Sequence, residues 1–436
     1  MLGFFLRVGV SGAAAGSGVN LFIHLLFWIP LAFWFAARML QGGGVWRFTG
    51  FEFAAIAFAV VSLVSVLRAG YAFPALERAF ASMSYLLLFM LGLQVLGRET
   101  LIAILLAAVA AEALTSLAQY FVLMPQLKAL AEASGSEELL WRVQSREVFG
   151  TFRGPNQLAG FLALVLPLVA GSMIDAREFR LRGLLLALGA ATLALTGSTG
   201  GFVALGCGSA AFVVLTLTRA RGRSVAVWAG GIAAAAVVAL ALGGPLLPWV
   251  ASRNHSMHVR EVYWKATGKI VAEAPLLGVG LDNWPEHYFQ WKGDAQQESR
   301  TAHNDYLQIL SETGVGGLLA FLALLGFGLR WGLARQAIPS PEPHPPALWP
   351  IAILDGAVAG AGCILAFDWK ESLLILLSAG AWTAVFILLR RRPAGSEGPF
   401  TRIGAAAGFC ALLVHMMVDF QFYEWGVAAA LFALLA

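Results

Sequence analysis

The side chains best suited to chemistry lie mostly in one segment, residues 248–304, which holds four of the seven histidines and several arginines. A planar guanidinium binds phosphate through two hydrogen bonds and stays charged in partly apolar surroundings. We predict that a set of arginines converges on a diphosphate group: Arg153, Arg253, Arg260 and Arg300. For Arg253 and Arg300, a solvated position or a contact with lipid headgroups is an equally good interpretation.

The histidines of this segment do not form a recognisable metal site. His255 and His258 are three residues apart, but the segment contains no cysteine and its carboxylates lack ligand spacing. The three cysteines, Cys207, Cys363 and Cys410, all lie in apolar runs, which argues against a disulfide framework or a zinc ligand set. The sequence therefore predicts no metal and no cofactor.

The composition is that of a polytopic membrane protein. Of the 436 residues, 59% are hydrophobic and 12% are charged, whereas soluble proteins average roughly 45–50% and about 25%. Apolar runs recur often enough for about 12–13 spans of roughly 20 residues each. Only α-helices satisfy the backbone over such runs in lipid, so the predicted fold class is all-α. The net charge of +4 is too small to suggest a nucleic-acid partner.

The charge pattern orients the spans and divides the chain into three parts. Arginines cluster near residues 177–182, 219–223 and 390–392, which the positive-inside rule places on the cytoplasmic side. Residues 125–156 and 248–304 then face outward, the second as a large loop between two late spans. We predict an N-terminal bundle over 1–247, this loop over 248–304, and a C-terminal bundle over 305–436. The N-terminus lies outside, or residues 1–18 form an extra span.

A polar cluster marks the start of the span that follows the large loop. His303, Asn304 and Asp305 stand where a side chain can cap a helix, and the N-terminal end of a helix favours anions. Glu312 lies about two turns further on, at membrane depth, where an ionisable residue suggests a role in function or packing.

Four stretches in this order resemble the bacterial O-antigen ligase and polymerase superfamily. The longest is Ala302-His-Asn-Asp-Tyr-Leu-Gln-Ile-Leu-Ser-Glu-Thr-Gly-Val-Gly-Gly317, which follows Pro275-Leu-Leu-Gly-Val-Gly280. Gly150-Thr-Phe-Arg-Gly-Pro-Asn-Gln-Leu-Ala-Gly160 is similar to that family's entry to a mid-chain span, with Gly154 where Asn is common. His415-Met-Met-Val-Asp-Phe420 is similar to its late H-x-x-x-D-F motif. The resemblance covers about residues 145–425.

The resemblance implies a glycosyltransferase of the bacterial inner membrane with its active site facing the periplasm. The donor would be a glycan on undecaprenyl diphosphate, and a hydroxyl of lipid A–core or of another glycan would displace the diphosphate. Neither a nucleotide sugar nor a metal would be needed. The partners would be these two substrates and the surrounding membrane lipids.

The same resemblance assigns roles to individual residues. Arg260 is the leading candidate to balance the charge of the leaving diphosphate. His303 would act as the base for the acceptor hydroxyl or would hydrogen-bond the diphosphate, and both roles stay open. Asn304 and Tyr306 would orient donor or acceptor, and Glu312 would orient a neighbour. We interpret Asp419 with His415 as a structural pair between late spans.

Several functions fit this pattern. A ligase that transfers a finished glycan to lipid A–core is the first, and a polymerase that joins lipid-linked repeat units is the second. A protein O-oligosaccharyltransferase is a weaker variant. A polysaccharide transporter without chemistry belongs to a different class and predicts charged residues along the spans, where the sequence offers few besides Glu112 and Glu312.

Overall fold

The computed structural model describes residues 51–95, 98–125, 144–221, 254–293, 299–333, 369–391 and 398–422, with a few further single positions. These residues form eleven α-helices and contain no strand, which confirms the predicted all-α class. The helices are α1 Phe51–Val66, α2 Ala72–Val95, α3 Arg98–Ala118, α4 Pro155–Ala176, α5 Leu181–Thr196, α6 Thr199–Arg221, α7 Asn254–Glu273, α8 Trp284–Trp291, α9 Asp305–Leu333, α10 Trp369–Arg390 and α11 Pro399–His415.

Four segments are long and apolar enough to cross a membrane: Arg98–Leu123, Pro155–Ala176, Thr199–Arg219 and Asp305–Arg330. The first is α3 continued by a π-helical turn over Gln119–Leu123. Four further apolar helices are shorter: Phe51–Val66, Leu181–Thr196, Leu376–Arg390 and Pro399–His415. The chain is an all-α polytopic membrane protein. Several predicted spans, and the predicted boundary between residues 247 and 248, lie outside the described residues.

The centre of the bundle is α4, which packs against α5, α6 and α11. Its contact with α11 is close because Gly404 and Gly408 face it with no side chain. A Cβ at Gly408 would lie 1.9 Å from the carbonyl oxygen of Leu164, and one at Gly404 would lie 2.3 Å from that of Pro167. Small residues four apart let membrane helices approach in this way, and here they set the position of α11.

Polar contacts tie the helix ends into two groups. At one end, Asp175 at the end of α4 accepts hydrogen bonds from the backbone N–H (2.6 Å) and the hydroxyl (2.8 Å) of Thr401, at the start of α11. At the opposite end, Asp305 at the start of α9 donates its N–H to the carbonyl of Met416, just after α11. We call the end of the bundle where Asp305 meets Met416 the site end. It gathers the starts of α4 and α9 and the end of α11, as the predicted alternation of spans requires.

Candidate active site

Helices α7 and α8 fold around a small aromatic core outside the bundle. Tyr263, Trp284 and Tyr288 are at most 5% exposed. The Trp284 and Tyr288 rings stack with centroids 4.6 Å apart, and Tyr263 meets both edge-on. The indole N–H of Trp284 donates to the hydroxyl of Thr267 at 2.9 Å. Residues 254–293 therefore form a compact unit, which we call the loop unit.

A kink in α9 attaches the loop unit to the bundle. At Gly314 the backbone leaves the helical region, with φ 70° and ψ −172°. The N–H of Val315 then donates to the carbonyl of Pro275, and the carbonyl of Ser311 accepts from Val279, each at 2.9 Å. The carbonyl of Glu312 also accepts from the N–H of Gly280 at 2.9 Å, so three backbone bonds join α9 to the loop unit at the kink. A Cβ at position 314 would lie 2.2 Å from the carbonyl oxygen of Leu276, so the site requires glycine.

A second attachment joins the loop unit to the turn between α1 and α2. The amide side chain of Asn283 accepts from the N–H of Tyr71 at 2.8 Å and donates to the carbonyl of Tyr71 at 3.2 Å. Next to it, Arg78 pairs with Asp282 at 3.2 Å. This contact was not predicted, because the two segments are about two hundred residues apart in the sequence and neither carries a motif for pairing.

His303 sits at the junction of the loop unit and α9, in a left-handed backbone conformation with φ 50°. For a residue other than glycine, this conformation costs about 1–2 kcal/mol, so the surrounding contacts must impose it. Asn304 follows as the helix cap: its side-chain oxygen accepts from the N–H of Leu307 at 3.0 Å, and its amide donates to the carbonyl of Met417 at 2.8 Å. The predicted start of a helix at this point is confirmed.

The centre of the site is the carboxylate of Asp419, which meets two basic side chains from different elements. His303 Nδ1 lies 3.0 Å from Asp419 Oδ1, and Arg260 Nη2 lies 4.0 Å from Asp419 Oδ2. Asp419 is almost fully buried, Arg260 keeps 13% of its side chain exposed, and His303 keeps 27%. The carboxylate of Asp419 is thus buried, and the side chains of Arg260 and His303 lie between it and the surface.

Electrostatics favour an ionised Asp419. Burial would raise its pKa, but the hydrogen bond and charge of His303 and the charge of Arg260 outweigh burial and lower the pKa to about 2. An ionised carboxylate can only accept, so Nδ1 of His303 carries the proton of this hydrogen bond. The other ring nitrogen, Nε2, is then the one available for substrate.

Helix α7 presents one face to this cluster. Arg260 reaches Asp419, and Tyr263, three residues later, stacks on the His303 ring with centroids 5.7 Å apart and planes 19° apart. Phe420 meets the same ring edge-on at 5.1 Å. Burial raises the pKa of Tyr263, so its ring packs as a neutral phenol. The imidazole is therefore held on two sides by aromatic rings and on a third by Asp419.

Arg153 belongs to a second loop at the site end, which two buried side chains of the α3 span hold in place. Glu112 accepts from the N–H of Thr151 at 3.0 Å and from its hydroxyl at 2.5 Å. Gln119 accepts from the N–H of Gly150 at 2.9 Å and donates to its carbonyl at 2.6 Å. Arg153 is exposed in the turn that follows.

The remaining predicted site residues are dispersed. Arg300 is exposed in the turn that precedes His303, and Arg253 lies outside the described residues. Tyr306 donates its hydroxyl to the carbonyl of Leu413 at 3.0 Å. Glu312 is fully buried and accepts from the side chain of Gln308 at 2.7 Å, so it lies behind the site and does not face it.

Asp419 and His415, interpreted from the sequence as a structural pair, share no side-chain hydrogen bond among the described residues. Asp419 directs its carboxylate to His303, whereas the side-chain nitrogens of His415 have no hydrogen-bond partner among the described residues. The two residues share a backbone bond, from the N–H of Asp419 to the carbonyl of His415 at 3.1 Å, and their side chains interact electrostatically. The signal for Asp419 was present in the late motif, but the sequence did not show which histidine it meets.

Within the described residues, no group of three or more His, Cys, Asp or Glu side chains could hold a metal ion. The groups at the surface of the site are the guanidinium of Arg260 and the imidazole of His303. They can balance the charge of an anion at Arg260 and transfer a proton at His303 Nε2.

A comparison with known families finds a match over part of the chain. Residues 184–322, from α5 to the middle of α9, match a family model described as O-antigen ligase. The match confirms the predicted resemblance to the O-antigen ligase and polymerase superfamily and supports an enzyme of that type in a membrane. The matched residues include Arg260, His303 and the Gly314 kink, while Asp419 lies beyond them. No curated protein matches the chain.

Proposed function

We propose that the protein is a metal-independent ligase that transfers a glycan from undecaprenyl diphosphate to a hydroxyl of lipid A–core. The reaction would take place at the periplasmic face of the bacterial inner membrane. The observation that carries the proposal is the cluster of His303, Asp419 and Arg260 at the site end of the bundle. The family match supports the reaction class.

The diphosphate is the leaving group, and its charge grows as the bond to the anomeric carbon breaks. Arg260 suits this task because its guanidinium is fixed on α7 and keeps part of its surface open. Arg153 and Arg300 are exposed cations in loops next to the starts of α4 and α9, where they would meet the lipid-linked donor as it approaches. We assign Arg260 to the diphosphate itself and the other two to its capture.

The acceptor hydroxyl is a poor nucleophile until it loses its proton. In the proposed step, Nε2 of His303 takes this proton while the hydroxyl oxygen bonds to the anomeric carbon. The bond from that carbon to the diphosphate oxygen breaks, and its electron pair leaves with the diphosphate. Asp419 holds the imidazole through Nδ1 and stabilises the imidazolium that forms. No cofactor takes part in this balance.

A polymerase that joins two lipid-linked repeat units would use the same chemistry, because only the carrier of the acceptor differs. The family match covers the ligase and polymerase superfamily, so it supports both reactions. The two reactions differ in acceptor and product. A ligase transfers the glycan to lipid A–core, whereas a polymerase lengthens the lipid-linked glycan without lipid A–core.

The experiment uses purified protein in detergent with EDTA, a glycan on undecaprenyl diphosphate, and lipid A–core. Product is followed on a gel for the wild type, His303→Ala and Arg260→Ala. Matched controls are His258→Ala and Lys265→Ala on the same helix α7, because these side chains are 77% and 73% exposed. We expect transfer in the wild type and the controls, and none in the two site variants.

The other outcomes separate the alternatives. A lengthened lipid-linked glycan without lipid A–core would favour the polymerase. A wild type that binds the donor and transfers it to no acceptor would favour the transporter. Transfer that EDTA abolishes would contradict metal independence.

A further inference from the structure

Two buried polar side chains of α9 form a hydrogen-bonded chain that ends next to His303. Glu312 Oε1 accepts from Gln308 Nε2 at 2.7 Å. Gln308 Oε1, at the other side of the same amide, accepts from the backbone N–H of Ala302 at 2.6 Å. Both side chains are at most 1% exposed, so neither can reach a substrate in this conformation.

Ala302 is held from the opposite side as well. Its carbonyl accepts from the indole N–H of Trp264 on α7 at 3.1 Å, and the residue is fully buried. On the other side of His303, the N–H of Asp305 is bound by the carbonyl of Met416. The backbone is thus fixed just before and just after the one residue that adopts a left-handed conformation there.

We propose that Glu312 and Gln308 are positioning residues that act through Ala302 to aim the His303 ring at Asp419. The inference rests on the role of His303 in the proposed function. Glu312 accepts from the NH₂ group of Gln308, and this contact leaves the amide oxygen of Gln308 facing the N–H of Ala302. Without that orientation, the N–H of Ala302 would lose its partner and His303 would lose the constraint that holds φ positive.

The first test compares three variants with the wild type in the transfer assay. Glu312→Leu removes the acceptor, Gln308→Asn keeps an amide but shortens its reach, and Glu312→Gln keeps an oxygen acceptor. We expect the first two to lower kcat on the order of 10- to 100-fold, because small displacements of a reacting group have effects of that size. The KM for the donor should stay near the wild-type value, and Glu312→Gln should restore most of kcat.

The control for general loss of buried polar contacts is Ser378→Ala. Ser378 forms a buried hydrogen bond with Thr115 at 2.7 Å between α3 and α10. Its loss should leave kcat unchanged. If Ser378→Ala lowers kcat as much as Gln308→Asn, the effect is one of packing and the inference is wrong.

The second test reads the position of His303 without any activity. Diethyl pyrocarbonate modifies histidine at a rate that depends on access and hydrogen bonding, and mass spectrometry reports each residue separately. With the exposed His258 as internal reference, His303 should react faster in Gln308→Asn and Glu312→Leu, and at the wild-type rate in Glu312→Gln. Unchanged rates in all three variants would overturn the inference.

The two tests distinguish failure of the inference from failure of the proposed function. If His303→Ala abolishes transfer while Gln308→Asn keeps wild-type kcat and reactivity, only the positioning role fails. If the wild type transfers no glycan but His303 reacts faster in Gln308→Asn, the positioning role stands and the proposed function fails.

Discussion

The most informative single change at the site is Asp419→Asn. It keeps the size of the side chain and removes only the negative charge. In the wild type, Oδ1 accepts from His303 at 3.0 Å and from the N–H of Phe420 at 2.8 Å, while Oδ2 faces Arg260 at 4.0 Å. An asparagine oxygen can take the place of Oδ1 and keep both hydrogen bonds. Its NH₂ group then faces Arg260, which loses its counter-ion.

The expected loss of kcat follows from the strength of the hydrogen bond between His303 and Asp419, which the substitution weakens. A hydrogen bond with a charged partner contributes about 1.5–3 kcal/mol, and each 1.4 kcal/mol is a factor of ten in rate. If the carboxylate stabilises the imidazolium during proton transfer, Asp419→Asn should lower kcat by about 10- to 150-fold. The folded protein should persist, because the shape and both Oδ1 bonds are kept.

The assay is single-turnover transfer with the enzyme in excess over the lipid-linked donor, after size-exclusion chromatography has shown that the variant is folded. His303→Ala sets the lower limit of the rate. Should Asp419→Asn transfer at the wild-type rate while His303→Ala is inactive, the carboxylate does not assist the histidine, and our account of the site is wrong.

Three further outcomes follow from the same geometry. Lowering the pKa of Asp419 from its ordinary 3.8 to about 2 corresponds to roughly 2 kcal/mol of stability, which is complete above about pH 4 and is lost as pH falls through 2. Thermal unfolding of the wild type against Asp419→Asn across that range should show the two curves converge at low pH. Gly314→Ala should destabilise the protein by about 1–3 kcal/mol in the same measurement, whereas Gly326→Ala, with nothing within 4 Å of its Cβ, should not. Arg260→Ala should weaken binding of the lipid-linked donor by about tenfold or more in a titration, because a charge-assisted contact is lost; unchanged affinity would contradict its assignment to the diphosphate.

The sequence predicted the local structure at the site well where the signals are local. The stretch Gly150–Gly160, predicted to lead into a mid-chain span, does so: α4 begins at Pro155. The polar residues before the late span do cap it, with Asn304 as the cap of α9. These features depend on neighbours in the chain, so composition and spacing are enough to find them.

The features that the sequence did not predict depend on distant contacts. The bond between His303 and Asp419 joins residues 116 positions apart, and the pair of Arg78 and Asp282 joins residues 204 apart. The kink at Gly314 was not predicted either, because the span that follows the large loop is apolar enough to be a single straight helix. Glycine permits the kink, but the carbonyl of Pro275 from the loop unit takes up the bond that makes it stable.

The buried carboxylates bear on the transporter alternative. A transport path needs ionisable groups that face water or solute inside the spans. Glu112 and Glu312, the two candidates that the sequence offered, instead accept hydrogen bonds from the protein itself. Glu112 binds the backbone and hydroxyl of Thr151, and Glu312 binds Gln308. Each bond leads to a loop at the site end, one carrying Arg153 and the other His303. The two buried carboxyl groups within the bundle thus hold the loops that carry Arg153 and His303, the residues of the proposed chemistry.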